Sequence, residues 1–219
     1  MRLLERDELI AVCKPAGMPS HPLRAGERGT AAGGIVAWYP ECAGVGVDPR
    51  EAGLVHRLDG DTTGVLVAAR DQATWEELRA AFGRGAVHKT YLALTAGAPR
   101  RLRCDAALSQ RGARVVVDEA DGLPASTSFE VLAESEGLAW VRCTAHTGRM
   151  HQVRAHLAAC GAPLVADLRY GGPPDPQLAT FVLHAAELTL PRPDGPLAIT
   201  APLPAATAAI VRARGLVPA

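Results

Sequence analysis

His56-Arg57-Leu58-Asp59-Gly60-Asp61-Thr62-Thr63-Gly64 runs directly into the apolar segment Val65-Leu66-Val67-Ala68-Ala69. An arginine two residues ahead of an aspartate, followed by glycine and hydroxyl residues, makes a polar turn. Residues 64–69 are short and valine-rich, the pattern of a buried strand. A turn at a strand end holds its side chains rigidly, which makes Asp59 a candidate functional carboxylate. Spacing alone favours a plainer alternative, a surface loop in which Asp59 or Asp61 caps the turn. The run is not a kinase catalytic loop, because Leu58 separates Arg57 from Asp59. The chain also has no glycine-rich nucleotide loop, no P-loop and no Gly-x-Ser-x-Gly elbow.

Working outward from this motif, residues 9–13 form a second apolar run, ended by Lys14-Pro15-Ala16-Gly17, and predict a strand. Residues 20–53 are rich in Gly, Pro and Ala and mix loops with one helix over 30–38. Downstream, Thr74 and Glu77 have capping-box spacing. Trp75, Leu78 and Phe82 then recur at helical intervals, which predicts an amphipathic helix over 75–82. Strands are expected over 91–95, 126–132, 138–143 and within 180–190, and helices over 150–160 and 204–214. The 150–160 helix would turn Val153, Leu157 and Cys160 inward, place His151 and Arg154 on another face, and stop at Gly161 and Pro163. Strands outnumber helices without strict alternation, so the fold class is α+β with a mixed, largely antiparallel sheet. No tandem repeat or linker divides the chain, and a single domain over 1–219 is expected.

Composition narrows the function. The 219 residues are 48% hydrophobic, enough for a substantial core. Twenty-three basic and 23 acidic residues cancel, which argues against a protein that coats nucleic acid non-specifically. The charges are uneven, however. Arg79, Arg84, Lys89, Arg100, Arg101 and Arg103 fall in a stretch without acids, and Asp118, Glu119, Asp121, Glu130, Glu134 and Glu136 in one without Lys or Arg. The pattern fits a basic groove or two solvated faces equally well. Five cysteines, Cys13, Cys42, Cys104, Cys143 and Cys160, form no Cys-x-x-Cys pair, so a disulfide framework or zinc knuckle is not expected and a reducing cytoplasm is. The charged N-terminus does not read as a signal peptide, and no apolar run reaches membrane-spanning length.

Two further segments carry candidate chemistry. Thr144 to His156 holds His146, His151 and His156 at intervals of five. Five residues turn a helix by about 140°, so these histidines do not share a face, and no carboxylate interleaves with them; a metal site is disfavoured. Backbone N–H groups near residues 147–150 are placed to meet an anion, with Arg149 and Arg154 to grip phosphate or carboxylate. In His88-Lys89-Thr90-Tyr91, a tyrosine at a strand start suits base stacking or proton transfer, although the segment alone favours a core tyrosine with its hydroxyl at the surface.

Taken in order, these segments resemble the RluA family of pseudouridine synthases over nearly the whole chain. Lys14-Pro15-Ala16-Gly17 with His21-Pro22 is similar to the family's first element, and residues 56–64 to its His-Arg-Leu-Asp-x-x-Thr-Ser-Gly signature. Lys89-Thr90-Tyr91 resembles its Lys-x-Tyr, and Pro124-Ala125-Ser126-Thr127-Ser128-Phe129 its Ala-x-Thr-x-aromatic strand. Thr147-Gly148-Arg149 with His151-Gln152-Val153-Arg154 and His156-Leu157 resembles its Thr-Gly-Arg-x-His-Gln-x-Arg-x-His helix. Gly161-Ala162-Pro163-Leu164, Asp167, Tyr170-Gly171 and Leu183-His184-Ala185 fit the segments that follow. Thr63 stands in place of the usual serine, Met150 where a small polar residue is common, and Ala166 in place of a glycine.

The resemblance implies a pseudouridine synthase fold, with a central sheet flanked by helices and loops and an RNA-binding cleft. It implies isomerisation of uridine in ribosomal or transfer RNA without cofactor or metal, and with the target base flipped from its stack. On the same ground Asp59 is the catalytic carboxylate, Arg154 its cationic partner, and Tyr91 the group that stacks on the uracil. The three are expected to meet in one cleft. Arg57 would fill the vacated space or hold the flipped nucleotide, and His56, Lys89, Arg149 and His151 are RNA-binding candidates. A soluble, cytoplasmic monomer without an S4-like extension is expected. Two rivals remain at this point: a non-catalytic RNA-binding or RNA-folding protein on the same fold, and a metal-dependent hydrolase built on the three histidines.

Overall fold

The computed structural model describes residues 1–24 and 26–216, so that Ala25 and the last three residues of the expected 1–219 span lie outside the described residues. The chain opens with β1 (Arg2–Glu5), β2 (Leu9–Lys14), α1 (Ala31–Trp38), β3 (Thr63–Ala69) and α2 (Gln72–Gly83). It continues with β4 (His88–Thr95), β5 (Arg103–Cys104), β6 (Leu108–Arg111), β7 (Arg114–Val117), β8 (Thr127–Ser135), β9 (Leu138–Ala145) and α3 (Gln152–Ala159). It closes with β10 (Leu183–Leu190), β11 (Leu197–Thr200) and α4 (Ala205–Ala213). This is the α+β class, with a mixed and largely antiparallel sheet. The residues divide into two compact units. The first is Met1–Val87 with Ala185–Pro202; the second is His88–His184 with Leu203–Ala219.

In the first unit the strand order is β1-β2-β3-β10, and β11 pairs with β10. β2 and β3 are antiparallel, with Leu9 opposite Ala69 and Lys14 opposite Gly64. Five of the six β2 residues and six of the seven β3 residues are buried, which is why both read as continuous apolar runs rather than alternating ones. Leu9, Val65, Val67, Leu188, Leu190 and Ile199 pack with Trp75 and Leu78 of α2. Gly64 has φ +114°, and a Cβ there would lie 2.1 Å from the Ala185 carbonyl oxygen, so only glycine fits where the motif enters the strand.

α2 starts earlier than its capping-box spacing predicts. Asp71, not Thr74, is the N-cap: its carboxylate accepts from the Thr74 backbone N–H at 2.8 Å and from the Thr74 hydroxyl at 2.9 Å. A carboxylate satisfies the open helix N–H groups and favours the positive end of the helix dipole, so it takes the cap from the weaker threonine.

In the second unit the order is β4-β9-β8-β5, with every neighbouring pair antiparallel. Glu136 and Gly137, at φ +50° and +76°, make the tight β8–β9 turn; β8 runs three residues further toward it than predicted, and β9 two residues further away from it. Val153 and Leu157 of α3, with Cys160 just past its end, pack with Phe129, Val141 and Cys143, the inward face expected from the sequence. β6 and β7 form a separate hairpin. Among the described residues, no helix is long and apolar enough to cross a membrane.

Candidate active site

The Asp59 turn is held from beneath by two side chains of the first unit. Lys14 is 1% exposed, and its ammonium donates to three carbonyl oxygens: Pro15 at 3.0 Å, Met18 at 2.7 Å and Gly60 at 2.7 Å. Ser20 Oγ donates to the Leu58 carbonyl at 2.9 Å and accepts from the Leu58 N–H at 3.0 Å. The Thr62 N–H closes the turn onto the Asp59 carbonyl at 3.1 Å. Both backbone neighbours of Asp59 are thereby pinned, and its half-buried side chain leaves a rigid support. Burial pushes the Lys14 ammonium down to about 8, against the opposing pull of Asp61 and Asp59.

His56 and Arg57 diverge from this turn. The His56 ring stacks on Phe82 with centroids 4.9 Å apart, and its Nε2 accepts from the Val67 N–H at 3.1 Å, which welds the motif to β3. Arg57 is exposed and makes no hydrogen bond or ion pair among the described residues.

Arg154 belongs to the second unit and is 5% exposed. Its Nε and Nη2 meet the two carboxylate oxygens of Asp167 at 2.7 and 2.9 Å, a bidentate pair inside the core. The guanidinium carbon lies 4.9 Å from the Tyr170 ring centre and 4.4 Å from that of Phe181. A buried guanidinium needs such a partner and such faces to offset its lost hydration. The Tyr170 hydroxyl accepts from the Val115 N–H at 3.0 Å and is hydrogen-bonded with His151 Nδ1 at 2.9 Å. Arg154 and His151 are therefore brought together through one tyrosine. His151 itself stands at φ +51°, just ahead of α3.

Lys89 and Arg149 meet around the Thr147 loop. Lys89 is 7% exposed and donates to the Thr147 carbonyl at 3.0 Å; burial, then the charge of Arg149, lowers its pKa. Arg149 is exposed, with Nε donating to the Pro124 carbonyl at 3.0 Å. Tyr91 is half-buried on β4 opposite Cys143 of β9. The backbone N–H groups expected to meet an anion here are partly engaged: Gln152 Oε1 accepts from the Arg149 N–H at 3.0 Å and from the Thr147 hydroxyl at 2.6 Å. This role is not legible in the sequence, because a glutamine three residues on reads equally well as a plain helix residue.

The three histidines weighed as metal ligands point to separate partners. His146 Nε2 meets Ser128 Oγ at 2.8 Å, and His151 meets Tyr170. His156, fully buried, has both nitrogens engaged, by Thr127 Oγ1 at 2.9 Å and the Ala106 carbonyl at 3.0 Å. Lys14, Asp167 and Tyr170 stand within the motifs, but no role follows for them from spacing. Lys14 ends an apolar run and Asp167 lies between Ala166 and Leu168, which marks burial but not its partner; Tyr170, between Arg169 and Gly171, carries no such signal.

A family model described as RNA pseudouridylate synthase matches residues 8–159. The ribosomal large subunit pseudouridine synthase D of Nitrosomonas europaea is 36% identical over 229 residues, covering 96% of this chain and 64% of that protein. The chain thus spans just under two thirds of that relative's length. A Zymomonas mobilis protein named an RNA pseudouridine synthase is 35% identical, with 91% of each chain covered. Among solved structures, human RNA Pseudouridylate Synthase Domain Containing 4 shares the fold, with a TM-score of 0.75 and 23% identity over 96% of this chain and 92% of that one. These matches agree with the resemblance carried by the motifs: the chain belongs to the RNA pseudouridylate synthase family.

Proposed function

We propose that this chain acts as a single catalytic domain that isomerises uridine to pseudouridine within RNA, with Asp59 as its essential carboxylate. The observation that carries the reading is the Asp59 turn, clamped by Lys14 and Ser20 inside a chain of this family. The uracil is detached from its ribose at nitrogen, turned, and rejoined at carbon, so the reaction is balanced without a second substrate. Asp59 serves it either by adding to the ring or by assisting cleavage at the sugar. Tyr91 stacks on the target base, and Arg154, held by Asp167, is the catalytic cation. The base leaves its stack to react, at roughly a few kcal/mol. Arg57 and Arg149, both exposed, contact the RNA, with His56 and His151 beside them. Lys89 acts through the Thr147 loop that it holds. The name of the Nitrosomonas relative directs the first search for a target to RNA of the large ribosomal subunit, with transfer RNA as the other source.

The test is a map of pseudouridines in total RNA from cells with and without the gene, followed by rescue with the wild type and with Asp59→Asn. At least one site is expected to vanish on deletion and to return only with the wild type. Asp59→Asn protein is expected to bind the same RNA within about tenfold of wild type, since the substitution removes a charge but no base-contacting surface. Full rescue by Asp59→Asn would overturn the assignment of Asp59, and an unchanged map would overturn the activity.

A further inference from the structure

A cavity of about 360 Å³ lies wholly within the first unit, and His21, Leu23, Arg50, Glu51, Arg57 and Arg79 line it. Its size is that of a small-ligand site. The charges around it are unequal in what they have left to offer. Asp48, also in the lining, is bound by Arg50, whose Nε lies 2.9 Å from Oδ1, and by the Arg50 backbone N–H at 2.9 Å. Glu51 accepts from the Val47 N–H at 2.8 Å. The carboxylates are thus already answered from within the loop. Arg79 gives one Nη1–H to the Val55 carbonyl at 3.1 Å and lies over the Trp75 ring, 5.6 Å from its centre, which fixes the guanidinium and leaves further donors. Arg57 has no partner among the described residues.

His21 is the anomaly. Its Nε2 is buried, with no hydrogen-bond partner among the described residues. Burial, then the charge of Arg57, lowers its pKa against the opposing pull of Glu51, and Arg79 and Asp48 add smaller effects of opposite sign, so the ring is largely neutral at pH 7. A buried polar atom without a partner is uncommon in a folded chain and calls for a group that completes it. Two guanidinium groups call for an anion with planar or forked oxygens, such as phosphate. A neutral imidazole beside them calls for an uncharged donor or acceptor. A ribonucleotide unites the two: a phosphodiester and, close to it, a 2′-hydroxyl.

We propose that this cavity receives a nucleotide adjacent to the target uridine, with its phosphodiester between Arg57 and Arg79 and its ribose 2′-hydroxyl on His21 Nε2. The proposal rests on the reading that the chain acts on RNA and names a subsite for it. Specificity would then come in part from a neighbouring nucleotide, and RNA would be told from DNA at this point.

The experiment measures binding, not turnover, so it fails or succeeds independently of the pseudouridine map. A fluorescent oligouridylate and its all-deoxy counterpart are titrated with the wild type, His21→Ala, Arg79→Gln and Arg79→Lys. Thermal unfolding of each protein is recorded to verify folding. His21→Ala is expected to weaken the ribo-oligomer about fivefold, the scale of one hydrogen bond, and to leave the deoxy-oligomer unchanged. Arg79→Gln is expected to weaken both and to lower the slope of log affinity against log salt by about 0.7, one single-strand phosphate. Arg79→Lys keeps that slope, because the charge remains. An unchanged ribo-oligomer affinity in His21→Ala, or an equal loss with both oligomers, overturns the hydroxyl contact. An unchanged salt slope in Arg79→Gln overturns the phosphate contact.

Discussion

Lys14 illustrates how much of this site rests on one side chain that touches no substrate in the proposed reaction. All three of its N–H donors are needed: two hold the Lys14-Pro15-Ala16-Gly17 loop and its exit at Met18, and one holds Gly60 beside Asp59. Lys14→Met leaves three carbonyls without their donor, at a cost of roughly 2–4 kcal/mol. A lower melting temperature and a fall in turnover larger than any fall in RNA affinity are expected together. The wild type carries its own version of this test. Above a pH of about 8 the amine loses a proton and can no longer serve all three carbonyls, so turnover is expected to decline through that range. Stability moves the other way. The folded value lies below the free one of 10.5, so between about 8 and 10.5 the unfolded chain binds the proton more tightly, and this group's contribution increasingly favours the folded state as pH rises. A pH profile of turnover set beside one of melting temperature separates the two, and a decline that persists unchanged in Lys14→Met would assign it elsewhere.

At the scale of elements, backbone geometry makes two opposite predictions. Gly64→Ala drives a Cβ into the Ala185 carbonyl at the start of β3, and is expected to lower the melting temperature by more than 5 °C or to abolish soluble expression. Ala166, between α3 and Asp167, stands at φ +65°, a conformation that costs an alanine about 1 kcal/mol. Ala166→Gly is therefore expected to raise the melting temperature by about 2–4 °C, as differential scanning calorimetry would show. Elements rich in apolar residues were legible from sequence, since β2, β3, β4, β9 and β10 bury valines, leucines and alanines that no loop tolerates. β6 and β7 were not: Leu-Ser-Gln-Arg has one apolar residue, the three valines of β7 make too short a run to stand without that partner, and the hairpin is held by Tyr170 from a distant segment. The Asp71 cap was missed because two residues three apart, Asp71 and Thr74, both fit the start of a helix, and only the competition between their oxygens decides.

For the whole molecule, zero net charge means that the proposed RNA affinity has to come from local groups, and its salt dependence is expected to be modest. The basic run from Arg79 to Arg103 is shared between the two units, and several of its members are engaged at home: Lys89 with Thr147, Arg103 with Asp105. The positions proposed for chemistry could be named from the motifs. Their supports could not, because nothing in the spacing of Lys14 and Gly60, or of Arg154 and Asp167, says that the fold brings them together. With both nitrogens of His156 engaged, activity is expected to survive a zinc-selective chelator in full; a loss restored by zinc would revive the hydrolase alternative. The path of β10 has a further consequence, for synthesis. Leu188, Leu190 and Ile199 complete the core around β2 and β3, yet they leave the ribosome some hundred residues after α2. The N-terminal segment therefore has to wait, unfinished and with apolar strands uncovered, until residues 185–202 have been translated, and a nascent chain halted before residue 185 would be a client for chaperones rather than a folded half.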